Sequence, residues 1–108
     1  MLVWIDSEIA PPRIDDDCGE WFWVKTPKKF LTILVNSEHI KEISIGNKLG
    51  QLTVDDIVEI LIVRKISPEV IQFHSTNNCH SYAQKLSKAG CNSKIKTVSY
   101  GKEFIKGK

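Results

Sequence analysis

Four places in the sequence hold residues able to do chemistry. Asp6 closes the apolar run "LVWID", Lys48 sits in "ISIGNKLG", and His74 and Ser75 end "VIQFHS" just before Asn77. His74 is a titratable imidazole, Ser75 and Asn77 are neutral hydrogen-bonding groups, and Lys48 is a permanent cation that can contact an anion directly. His74, Ser75 and Asn77 stand where a helix begins, and a helix start offers free backbone N–H groups to an anion. Ser75 or Asn77 can equally serve as a plain N-cap. Asp6 reads either as a lone metal ligand or as an acid bonded to a neighbouring helix N-terminus. If Asp6, Lys48, His74, Ser75 and Asn77 converge, one acid faces one cation and an imidazole, a set that suits sulfate or phosphate better than Mg²⁺.

The elements that must position these residues follow from pattern. "LVWID" is apolar throughout, as a strand buried on both faces is. "SEIAPPRIDDDCGE" cannot continue as helix or strand because of its paired prolines, acidic cluster and glycine. "WFWVKT" is aromatic and β-branched, a second strand, with Trp21 and Trp23 on one face and Phe22 on the other. Thr26 then caps a helix of about ten residues with Pro27 at its first position. A third strand spans Ile40 to Ile45, and Thr53 caps a second helix with Asp55 and Asp56 in its first turn and Arg64 and Lys65 in its last. Val70 to Ser75 is a fourth strand, "NNCHSYAQKLSKAG" a third helix stopped by Gly90, and "KIKTVSYG" a fifth strand.

Strands alternating with helices predict one α/β domain over residues 1–108, built on a mainly parallel five-stranded sheet with helices on its faces. In such sheets ligands bind beyond the carboxyl ends of the strands, where Asp6, the Gly46 to Gly50 turn and His74 to Asn77 fall. The 108 residues carry 42% hydrophobic and 26% charged side chains and a net charge of +2, which points to an ordinary globular domain and away from nucleic acid. Lysines gather in the last quarter. Cys18, Cys79 and Cys91 form no Cys-x-x-Cys pair, so reduced thiols are expected, and no run nears the roughly 20 apolar residues of a membrane helix. The expectation is a cytoplasmic protein, with no leader at its start.

The strand ends resemble those of the cyclic-phosphate-processing receiver-like domains, a group with the response-regulator receiver fold. The resemblance lies in "WIDSEIAPP", "WFWVKTPKKF", "SIGNKLG" and "HSTN", and covers most of the chain. It implies a three-layer sandwich with strand order 2-1-3-4-5 and a Pro-rich loop in place of the first helix. It also implies an acid pocket that has been lost. Gly46 occupies the place of the phosphoacceptor aspartate, Asn47 and Lys48 replace the following His and Asp, Ser7 replaces the second acid, and Ile9 stands where the family's turn carries an arginine. Clustered carboxylates hold the Mg²⁺ that neutralises an arriving phosphoryl group, so a chain lacking them is expected to bind without phosphotransfer. Mg²⁺ enters only if the acid pocket still works.

Three functions remain open on these grounds. The chain is a degenerate receiver-like module that takes a phosphate-bearing ligand or a protein partner. Alternatively it is a phosphoesterase acting on nucleotide or RNA cyclic phosphates, with His74 as acid or base, Asp6 beside it, Ser75 and Asn77 orienting the phosphate and Lys48 stabilising its charge. That substrate rests on the resemblance alone. Lastly it is a small inhibitor or adaptor that docks another protein through the Trp21/Trp23 strand.

Overall fold

The computed structural model of the protein describes residues 1–11, 21–46, 48–74 and 80–97. In chain order the elements are β1 (Leu2–Ile5), β2 (Trp21–Val24), α1 (Pro27–Ile33), a 3-10 turn (Leu34–His39), β3 (Glu42–Ile45), β4 (Lys48–Leu49), β5 (Leu52–Thr53), α2 (Val54–Val63), β6 (Val70–Phe73), α3 (His80–Lys88) and β7 (Lys94–Thr97). The main sheet has five strands in the order β2-β1-β3-β6-β7, every neighbouring pair parallel. With the β4–β5 hairpin set aside, this is the predicted order 2-1-3-4-5.

Local chemistry explains the helix starts. Thr26 Oγ1 accepts from the Lys29 N–H at 3.1 Å with Pro27 behind it, and Thr53 forms a reciprocal capping box with Asp56. The helix end differs from expectation. α2 stops at Val63, so Arg64 is its C-cap and Lys65, at φ 56°, turns the chain beyond it, rather than both lying in the last turn. Gly90, at φ 87°, follows the end of α3 as a left-handed stop.

The sheet has two unlike faces because side chains alternate along each strand. Val3 and Ile5, Val24, Ile43 and Ile45, and Ile71 and Phe73 point to one side, where they form the core with Phe30 and Ile33 of α1, Ile57 and Leu61 of α2, and Leu86 of α3. The opposite face carries Trp4, Ser44 and Gln72 in register across β1, β3 and β6. All three helices thus feed the same face. Among the described residues no helix covers the other face, so they form two layers of the predicted three; the body of the Pro-rich loop, Cys18 and Cys79 lie outside the described residues. Cys91 is a free thiol, as expected. No described helix is long and apolar enough to cross a membrane.

Candidate functional site

The parallel ladder runs one residue past the ends of β1, β3 and β6. Asp6 N–H donates to Val24 O at 3.1 Å, Gly46 N–H to Ile5 O at 2.8 Å, and His74 N–H to Ile45 O at 2.9 Å. Asp6, Gly46 and His74 therefore stand side by side at the carboxyl end of the sheet, on the same face as Trp4, Ser44 and Gln72 two residues earlier. β1 and β6 flank β3, so the backbones of Asp6 and His74 are two strand spacings, roughly 10 Å, apart. Only the missing side chain of Gly46 lets them meet.

They do meet, with His74 Nε2 2.9 Å from Asp6 Oδ2. A Cβ at position 46 would fall 2.1 Å from Asp6 Oδ2 and 2.6 Å from His74 Nε2, far inside contact distance. The space a side chain at position 46 would need is thus filled by a bond between the two residues on either side.

The bond belongs to a longer buried chain. Gln72 Nε2 donates to Ser44 Oγ at 2.8 Å, and Ser44 Oγ lies 2.7 Å from His74 Nδ1. Having accepted from the amide, the Ser44 hydroxyl satisfies its proton by donating to Nδ1, which must then be an acceptor. That assigns His74 the neutral Nε2–H tautomer, donating to an ionised Asp6. Burial lowers the His74 pKa from its ordinary 6.5, only partly offset by the Asp6 carboxylate, in agreement with the neutral ring. Burial pushes the Asp6 carboxyl up, but bonds from His74, Ile9 N–H and Glu8 N–H outweigh it and hold the group below its ordinary 3.8. Those two N–H groups reach Asp6 Oδ1 at 2.9 and 2.8 Å.

Tryptophans enclose the pair. The Trp4 ring stacks on His74, centroids 3.7 Å apart and planes 9° from parallel. Its Nε1–H donates to Ile9 O and that of Trp23 to Asp6 O, each at 2.8 Å. Trp21 meets Trp4 edge to face, and its buried Nε1–H has no acceptor among the described residues.

Of the five predicted site residues, the structure joins two. Asp6 and His74 are bonded and closed to solvent, 2% and 0% exposed. Lys48 opens the β4–β5 hairpin, half exposed, with its ammonium 3.8 Å from Glu8 on the surface, a pairing of small energetic weight. Its carbonyl accepts from Ser7 N–H, pinning the loop after β1 to the hairpin. Ser75 and Asn77 lie outside the described residues. Among the described residues, no three His, Cys, Asp or Glu side chains come together as a metal site. Among the described residues the backbone donors to Asp6 come from the loop that follows it, at Glu8 and Ile9, and none from a helix N-terminus.

Ser44, Gln72 and the space-making role of Gly46 escape a reading confined to strand ends. The available signal is a polar residue inside the strand two positions before its end residue: Ser44 before Gly46, Gln72 before His74. Comparison with protein-family models, curated proteins and solved structures finds no match to the chain.

Proposed function

We propose that the chain is a receiver-like binding module that performs no phosphotransfer and acts by engaging a protein partner. One observation carries this reading: position 46 offers no carboxylate, and the Asp6–His74 bond occupies the space a side chain there would need. The acid that would serve a metal is spent on His74 and two backbone N–H groups. Catalysis of cyclic-phosphate hydrolysis fits less well, because His74 is buried with both ring nitrogens engaged, and an acid–base group must reach its substrate. A phosphate-bearing ligand is likewise weakened, since His74 is neutral and Lys48 faces Glu8.

Incubation with acetyl phosphate and Mg²⁺, read by intact-mass spectrometry, tests the reading. No added phosphoryl group is expected. A stable adduct, or turnover of 2′,3′-cyclic nucleotides that His74→Gln abolishes, would overturn it.

A further inference from the structure

β2 is an outer strand of the sheet, paired on one side with β1. The Val24 carbonyl accepts from Asp6 N–H, so strand alternation also turns the backbone groups of Phe22 toward β1. Those of Trp21 and Trp23 then face outward, and among the described residues no strand pairs with them. The segment from position 21 to 37 contains three lysines, Lys25, Lys28 and Lys29, and no Asp or Glu. All three are exposed. Two ammonium groups rest over aromatic rings on opposite faces of the strand: Lys25 Nζ lies 4.1 Å from the Trp23 ring centroid and Lys29 Nζ 5.5 Å from that of Phe22. Phe22 is itself 42% exposed.

This edge offers backbone donors and acceptors that no described strand pairs, an aromatic surface above and below, and positive charge on both sides. We infer that β2 docks an extended acidic segment of a partner protein as an added sixth strand. The backbone of Trp21 and Trp23 supplies the ladder, carboxylates meet Lys25 and Lys29, and apolar side chains rest on Phe22 and Trp23. A second copy of the chain is disfavoured, because pairing β2 with itself sets lysines against lysines, a common guard against edge-to-edge association. The inference rests on the partner reading above but not on the loss of phosphotransfer.

The test titrates the full chain with the peptide acetyl-Glu-Val-Glu-Val-Glu-Val-Glu-amide and its Lys-for-Glu counterpart, following backbone amide shifts and hydrogen exchange. The acidic peptide is expected to bind, to slow exchange at the Trp21 and Trp23 N–H groups, and to weaken as salt rises. The exposed double substitution Lys25→Glu with Lys29→Glu should weaken it by at least about tenfold while leaving the unfolding curve in place. Equal binding of the basic peptide, or no protection at Trp21 and Trp23, would overturn the proposal. So would a single-stranded RNA oligomer binding the strand more tightly than the peptide, self-association through β2, or amides of Trp21 and Trp23 already protected in the free chain. An acetyl-phosphate adduct would sink the loss of phosphotransfer and leave this result untouched.

Discussion

Asp6 and His74 bond at 2.9 Å although β1 and β6 are not neighbours in the sheet. The strand between them ends in Gly46, and the pair closes over the space where its side chain would be. A substitution that fills that space must break the bond, and one that weakens the bond alters a chain of donors reaching back to Gln72.

Gly46→Ala should therefore cost about 1–5 kcal/mol, the range spanned by overpacking and by breaking a buried pair. Gly46→Asp should cost at least as much and should gain no phosphoryl group from acetyl phosphate, because its carboxylate cannot enter without expelling Asp6 or His74. In a His74→Ala background Gly46→Ala should cost much less, since part of the crowding is gone. Denaturant unfolding of the four chains in that cycle measures the coupling; strictly additive costs would show that Gly46 does not make room for the pair.

The pH dependence of stability follows from the lowered pKa of His74. In the range between its folded value and 6.5, the unfolded chain binds the proton and the folded chain does not. Stability is thus full above about pH 6.5 and falls as the pH drops toward the folded value. Asp6, also lowered, adds stability that is full above its ordinary 3.8 and is lost as pH falls through its folded value. His74→Gln, whose amide can still donate to Asp6, should flatten the slope just below pH 6.5 and leave the more acidic loss in place. Urea unfolding from pH 4 to 8 checks this, and an unchanged slope would assign the dependence to other groups.

Much of the fold was legible because local and global signals agree. Thr26 with Pro27, and Thr53 with Asp56, announce their helices, and alternation with helices fixes the parallel strands. The β4–β5 hairpin was not legible, because two-residue strands carry no periodicity; Gly50, at φ 60°, was its one signal. Asp6 and His74 stood out as strand-end residues, but their bond depends on register and on the gap at position 46. A missing acid reads in sequence as a loss of chemistry, whereas in space it is the opening that the pair fills. Reading His74 as a titratable group for an anion assumed an open pocket, and its burial beneath the Trp4 ring removes that assumption.

The three tryptophans should rank differently although all lie on one face. Trp4→Phe loses the bond to Ile9 O and stacking area on His74, and should cost about 2–4 kcal/mol. Trp23→Phe loses the bond to Asp6 O and should cost about 1–3 kcal/mol. Trp21→Phe removes a buried donor that has no acceptor among the described residues, which offsets part of the lost volume, so it should cost no more than about 1 kcal/mol. Urea midpoints of the three variants give the order, and a Trp21 variant as damaged as the Trp4 variant would contradict it.

The tautomer of His74 is the most specific consequence of the buried chain. Ser44 Oγ, buried with His74, finds its acceptor in Nδ1 while the amide of Gln72 donates to it, so Nε2 carries the hydrogen. Nitrogen-detected NMR of the imidazole at pH 7 should show the neutral Nε2–H form. Ser44→Ala removes the donor to Nδ1 and leaves both that nitrogen and the Gln72 amide unpartnered, at a cost of about 1–3 kcal/mol. Adding Gln72→Leu to Ser44→Ala should cost less than Gln72→Leu alone, since the amide has by then lost its acceptor. A wild-type Nδ1–H tautomer, or an imidazolium at neutral pH, would mean that Ser44 accepts from both neighbours and that the bond between Ser44 and His74 runs the other way.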